Sequence, residues 1–109
     1  MRILNIAAIV GCFALVAAPM KTAFAVNGGG NEDRGRELFD DWSCGDCHQL
    51  AAVGASGTIG PALDGNTNLS FDYVINRIEN GQGAMPPFGG MMNEDEIADL
   101  AAFVISAAR

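Results

Sequence analysis

Positive charge, histidine and length are all scarce in this chain. Six Lys and Arg stand against 13 Asp and Glu in 109 residues, for a formal net charge of −7, and there is one His and one Trp. Nucleic acid and anionic lipid head groups are held through the attraction of basic side chains to phosphate, so an acidic chain excludes both as natural partners. The length allows one small domain and rules out a TIM barrel or a doubly wound nucleotide-binding enzyme. No segment alternates apolar and polar residues convincingly as a strand, so the expected class is all-α.

Half of the residues are hydrophobic, but much of that content lies at the start. Arg2 precedes an apolar run from Ile3 to Ala18, followed by Pro19 and the small-residue ending Ala23-Phe24-Ala25. This is the pattern of a secretory signal peptide with cleavage after Ala25. The run is short of the roughly 20 residues that span a bilayer, so stable membrane insertion after cleavage is not expected. Ile9-Val10-Gly11-Cys12 resembles a lipoprotein processing site, but the apolar core continues past it. Residues 26–30, rich in glycine, read as a flexible leading segment, and residues 31–109 as the folded domain.

The 84 residues after Ala25 contain four Arg and no Lys against all 13 acidic side chains, a net −9, together with 13 of the 14 Gly. Such a chain has modest apolar material for a core, and domains this small often recruit a disulfide, a metal or a cofactor. Three helices are expected. Asn31 caps the first, about Glu32 to Trp42, with Gly35, Leu38, Phe39 and Trp42 at helical spacing. Ser70 caps the second, through about Asn80, with Phe71, Val74, Ile75 and Ile78 as its apolar face and Gly81 as its stop. Asn93 and Glu96 form a capping box for the third, Glu94 to about Ala108, striped with Ile97, Leu100, Ala101 and Val104. The stretch from Leu50 to Asn68 has no sustained period and reads as ordered loop with at most one short helical turn.

Cys44-Gly45-Asp46-Cys47-His48 is a C-x-x-C-H motif, the attachment signal for c-type haem. Two thiols one turn apart can each add to one of the porphyrin's vinyl groups, and the adjoining imidazole is carried under the ring to bind iron. His48 is the only His, so no second imidazole can be an axial ligand. A thioredoxin-type redox pair would need a βαβ framework that is not legible here. Zinc would lack a fourth N or S ligand, and a plain disulfide would leave the adjoining His and the weak core unexplained. Covalent haem accounts for both.

The second axial position separates oxygen or peroxide chemistry from electron transfer. Among Met85, Met91 and Met92, Met85 stands before Pro86 and Pro87, which stiffen its loop and favour an extended conformation at Met85 itself. Met91 and Met92 read as packing residues, with Met92 stapled to Ile97 across the start of the third helix.

These residues together resemble the small class I c-type cytochromes of the bacterial periplasm. Cys44, Cys47 and His48 match the family's haem motif, and Met85 before Pro86 its sixth-ligand loop. Gly35 and Phe39, with Leu100 and Phe103, resemble its crossing helix pair. Gly60-Pro61 resembles the turn whose proline carbonyl accepts the proton of the ligand histidine. The resemblance implies a small cytochrome c fold of three main helices and ordered loops around one haem c attached through Cys44 and Cys47. It also implies iron held by His48 and Met85, and a periplasmic one-electron carrier rather than an enzyme. A dehydrogenase or quinol-oxidising complex would supply the electrons and a terminal oxidase would take them. Residues Gly57 to Asp64 and the Met85 loop resemble those of cytochromes that serve quinoprotein dehydrogenases.

A free carrier is expected to be monomeric. The alternatives are a permanent haem c subunit of a quinoprotein dehydrogenase or oxidase complex, and a haem peroxidase, for which no distal His remains. Mitochondrial-type relatives dock through a ring of lysines, and residues 26–109 contain none. If the acids lie near an exposed haem edge, the partner should present a basic patch; otherwise Phe88 to Met92 offers an apolar face.

Overall fold

Each of the three α-helices among the described residues starts at a side-chain cap. In the computed structural model, which describes Ala14 and residues 29–109, Asn31 accepts a hydrogen bond from the Arg34 amide and opens α1, Glu32–Asp41. Ser70 accepts from the Tyr73 amide and opens α2, Phe71–Asn80. Asn93 and Glu96 satisfy one another's backbone amides in a full capping box at the head of α3, Glu94–Ala107. Acids crowd the first turns of α1 and α3, where they complement the positive end of the helix dipole. Gly81 takes φ +65° after α2, a left-handed value that suits glycine and stops the helix. Apart from Ala14, the expected signal peptide lies outside the described residues, as do its expected cleavage site and Cys12.

α1 and α3 cross where their side chains are smallest. A Cβ on Gly35 would run into the carbonyl of Asp99 and lie 2.7 Å from the Cβ of Phe103, so only glycine allows this approach. Beside it Phe39 meets Phe103 edge to face, with centroids 5.6 Å apart at 66°. The backbone amide of Asn31 donates to Asp99 at 2.6 Å, which fastens the start of α1 to α3. Gly30, placed by sequence in the leading segment, is itself buried against the α3 backbone.

α2 completes the core from the other side of α3. Val74 and Ile78 are buried with Leu38, Phe39, Leu50, Ile97, Leu100, Phe103 and Val104. The stripe read from α3 is buried throughout, and Met92 is buried as the staple reading requires. Met91 is not a packing residue, because it is 55% exposed. Two other differences from expectation are local. Trp42 caps α1 instead of continuing it. The segment after the motif also pairs with itself, since Gln49–Leu50 (β1) and Ala55–Ser56 (β2) form a two-residue antiparallel ladder closed by a tight helical turn at Ala51–Val53. Leu50 is fully buried and Gln49 exposed, an alternation too short to read from sequence.

Candidate haem site

The motif cysteines lie on a tight turn directly after α1. Ser43 adopts a left-handed conformation, φ 56°, which reverses the chain, and Cys44–Asp46 then form a single 3₁₀ turn. The amides of Cys47 and His48 both donate to the Cys44 carbonyl, at 3.2 and 2.9 Å. The two thiols are thereby brought one turn apart with His48 beside them. Both are free and partly buried. Burial pushes the Cys44 thiol up to about 11, with a smaller push from the charge of Asp40. A thiol held protonated is a poor redox nucleophile, and the described residues form no βαβ unit, so the thioredoxin-type reading falls. Among the described residues no three His, Cys, Asp or Glu side chains are grouped to hold a metal ion, which leaves the zinc reading without a ligand set.

The loop from 57 to 64 folds back onto the motif and fixes the imidazole. The Gly60 amide donates to the Cys47 carbonyl at 2.8 Å, and the Leu63 amide to Gln49 at 2.9 Å. Asp64, whose role was not read from sequence, accepts from the Ala51 amide at 2.8 Å and ties off the same loop. Nδ1 of His48 lies 2.8 Å from the Pro61 carbonyl. A carbonyl can only accept, so Nδ1 carries a proton, and in the neutral ring Nε2 is the nitrogen left with a lone pair. Gly60 forms the wall of the ring: a Cβ there would sit 2.6 Å from Cε1 and 2.9 Å from Nδ1 of His48.

Met85 belongs to a second clamped loop, between α2 and α3. Gln82 and Met85 exchange both backbone hydrogen bonds, at 3.1 and 3.0 Å, around a two-residue turn with Gly83 at φ 57°. The following chain is pinned to the end of α2, with the amides of Phe88 and Gly89 donating to Ile78 and Glu79. Trp42 and Phe88 join this loop to the motif, their rings edge to face with centroids 5.7 Å apart. Cys44 and Met85 pack against the same hydrophobic core.

These residues fit a haem. A free thiol pair, an imidazole with an open Nε2 and a stiff loop carrying a thioether supply the donors. Trp42, Phe71, Ile75, Met85 and Phe88 are only half-buried, apolar side chains that a planar apolar group could cover. One buried polar atom also lacks a partner, Nε of Arg77 at the base of the Met85 loop.

A family model described as cytochrome C oxidase, cbb3-type, subunit III matches residues 30–104. The chain belongs to the small class I c-type cytochromes. It is 36% identical over 81 residues to cytochrome c6 of Chlorolobion braunii, an alignment covering 68% of this chain and 88% of the relative. Among solved structures, the c-type cytochrome SorU from Sinorhizobium meliloti is 33% identical with a TM-score of 0.63, over 70% of this chain and 88% of that one. Cytochrome c6 from the diatom Phaeodactylum tricornutum is 30% identical with a TM-score of 0.60, over 72% and 95%. This cytochrome carries one covalently bound haem c and is an electron carrier rather than an enzyme. No helix among the described residues is long and apolar enough to cross a membrane.

Of the residues expected at the site, the structure gathers Cys44, Cys47, His48 and Pro61 into one unit and sets Met85 on a second loop, between α2 and α3, joined to the motif segment by the Trp42–Phe88 contact. Asp64 and Arg77 were not expected there. The signal for Asp64 was its place directly behind Gly60-Pro61-Ala62-Leu63, and for Arg77 its position one step off the apolar stripe of α2.

Proposed function

We propose that this cytochrome is a periplasmic one-electron carrier in which Cys44 and Cys47 bind the haem through thioethers and His48 and Met85 hold the iron in both oxidation states. The observation that carries the reading is the Nδ1 contact of His48 with Pro61 at 2.8 Å, which leaves Nε2 as the only ring atom able to bind metal. When bound, the haem supplies a ferric/ferrous couple. The protein's own residues do the rest: Gly60 and Pro61 orient the ligand ring, the Gln82–Met85 turn holds a neutral thioether, and the half-buried aromatic residues keep water from the site. A neutral sixth ligand and an apolar cover favour the ferrous state, so the potential should be high among haem proteins.

The leader pattern before Ala25 supports a periplasmic location, and the donor and acceptor are redox proteins, a quinoprotein dehydrogenase and a terminal oxidase being the classes the sequence suggests. The test is direct. Protein from cells with a haem-ligation system should keep its haem through acid-acetone extraction and denaturing electrophoresis, with the intact mass of residues 26–109 plus one haem. Haem lost under those conditions overturns the thioether assignment.

A second reading, a haem c subunit held permanently in a larger complex, is favoured by the exposure of Ile59 (71%) and Met91 (55%) on the two loops that frame the site. Sedimentation of the native protein from its own periplasm separates the two readings: a free carrier sediments as a particle of one chain.

A further inference from the structure

Asn80 and Gly81 form the pair in which an asparagine side chain is chemically least stable. The backbone nitrogen that follows an asparagine can attack its side-chain carbonyl carbon, and a glycine there has no side chain to obstruct the approach. Asn80 is the last residue of α2 and is exposed, so water and hydroxide reach it, whereas Gly81 is buried. The fold dictates the glycine. It takes φ +65°, and a Cβ on it would run into the carbonyl of Met85 and lie 2.7 Å from the carbonyl carbon of Pro86 and 2.8 Å from the nitrogen of Pro87. Close seating of the Met85 loop thus fixes one half of the reactive pair, and Asn80 supplies the other.

In the folded chain both reacting groups are occupied. The Gly81 amide donates to the Arg77 carbonyl at 2.9 Å, and the side-chain amide of Asn80 donates to the Asn76 carbonyl at 3.0 Å. Closing a five-membered ring between them also needs a rotation about the Cα–C bond of Asn80 that would break the last turn of α2. That turn does not unwind alone. The amides of Phe88 and Gly89 donate to the carbonyls of Ile78 and Glu79 at 2.9 and 3.1 Å, and Gln82 and Met85 exchange both backbone hydrogen bonds just beyond it. Releasing Asn80 therefore requires the 81–89 segment to lift, a local opening with its own free energy.

We propose that Asn80 is a self-modification site, closed while the Met85 loop is seated and open once it lifts. The Gly81 nitrogen loses its proton to hydroxide and bonds to Cγ of Asn80, while Nδ2 takes up a proton and leaves as ammonia, which gives a succinimide. Water then opens that ring. Breaking the Cγ–N bond gives aspartate, and breaking the backbone C–N bond gives isoaspartate, whose main chain runs through Cβ and Cγ and is one methylene longer. No oxidation state changes, and water is the only co-reactant. The extra methylene falls where Gly81 has no room to shift, so isoaspartate keeps the loop from reseating and makes a transient release of Met85 permanent. The site is independent of the haem reading, and only this last consequence rests on it.

The test incubates the holoprotein in mildly alkaline buffer and follows Asn80 by peptide mapping, which detects the gain of one mass unit and separates isoaspartate from aspartate. Unfolded in urea, the chain should convert Asn80 readily, and the folded holoprotein should do so about 100-fold more slowly or less. Phe88→Ala, which removes the loop's ring contact with Trp42, should speed conversion in the folded protein by about ten-fold or more. If Phe88→Ala loads no haem, the parent in urea below its unfolding transition takes its place. The isoaspartate fraction should lack the methionine-to-iron absorption band, whereas Asn80→Gln, whose longer side chain closes a ring far more slowly, should keep the band throughout. Equal rates in folded and unfolded protein overturn the gating, as does a folded-state rate that loosening the loop leaves unchanged. No conversion even in urea overturns the site, and an isoaspartate fraction that retains the band overturns the permanent release. A chain without covalent haem would defeat the electron-carrier reading and leave the mapping result standing.

Discussion

Trp42 and Phe88 meet edge to face at an interplanar angle of 80°. Trp42 ends α1 two residues before Cys44, and Phe88 follows Met85 by three, so one aromatic contact joins the segment that supplies the thiols to the loop that supplies the thioether. Phe88 is also held by its own backbone, through the Ile78 carbonyl at 2.9 Å. The ring contact can therefore be removed while the backbone anchor stays. Phe88→Ala should lower stability by about 2 kcal/mol, less than a fully buried Phe loses because the ring is half-exposed. A double-mutant cycle with Trp42→Ala should return a coupling of about 0.5–1.5 kcal/mol. The methionine-to-iron absorption band in Phe88→Ala should also weaken; an unchanged band would mean that Met85 is held by the Gln82 turn alone.

Gly35 should tolerate no side chain. Its Cβ would meet the backbone of Asp99 in α3, and the backbone of a packed helix cannot move aside as a flexible side chain can. Gly35→Ala should cost about 3 kcal/mol or more through forced separation of α1 and α3, read as a fall in thermal midpoint. Gly54→Ala should cost less, because a Cβ there meets nothing within 4 Å and only the positive φ of 67° opposes it.

Gly60 serves the site more than the fold. The atoms nearest to a Cβ there are those of the His48 ring. Gly60→Ala should tilt the imidazole, lengthen its contact with Pro61 and change the ferric spectrum, while the thermal midpoint falls less than in Gly35→Ala. Equal losses of stability with an unchanged spectrum would make Gly60 a packing residue.

The helices were legible because caps and stripes agree. Asn31, Ser70 and Asn93 each precede an apolar period of the right length, and each caps in the structure. The C-x-x-C-H motif was legible because its chemistry is contained in five consecutive residues. What escaped the sequence depends on contacts between distant positions. β1 and β2 are two residues each, too short to show a period, and their pairing depends on the turn at Ala51–Val53. Met91 and Met92 are adjacent and chemically identical, yet only Met92 faces the core; the helix start at Asn93 sets which one turns inward. Arg77 lies outside the apolar stripe read for α2, yet its Nε is buried in the folded chain.

Met85 is separated from the other two methionines by a single optical test. Met91 is exposed and Met92 is committed to the core. Met85→Ala should abolish the weak red-edge band of methionine bound to ferric iron and lower the potential. Met91→Ala should leave both unchanged, and Met92→Ala should lower stability by about 2 kcal/mol or more, as for loss of a buried methionine, with the band retained. Loss of the band in Met91→Ala would move the ligand to that residue.

The distribution of charge gives the last prediction. The net −9 of residues 26–109 suggests strong repulsion of anionic redox partners, but the acids are not spread evenly. Glu32, Asp33, Glu94, Asp95 and Glu96 sit at the starts of α1 and α3. From Ala51 to Leu63 and from Gly81 to Asn93, the two loops that frame the site, no side chain is ionisable. Charges more than a Debye length away, about 10 Å at 0.1 M salt, are largely screened from a reagent docked at such a rim. Electron transfer with anionic ferricyanide and with a cationic cobalt phenanthroline complex, measured across a salt series, should therefore report an effective protein charge of magnitude below about 4, well under the net value. Adding charge at the rim should change this at once: Met91→Lys should accelerate ferricyanide and slow the cobalt complex, with the salt slopes moving in opposite directions. An effective charge near −9 in the unsubstituted protein would mean that Asp40 and Asp46, which flank Cys44 in sequence, dominate the electron-transfer edge, and the natural partner would then need a basic face.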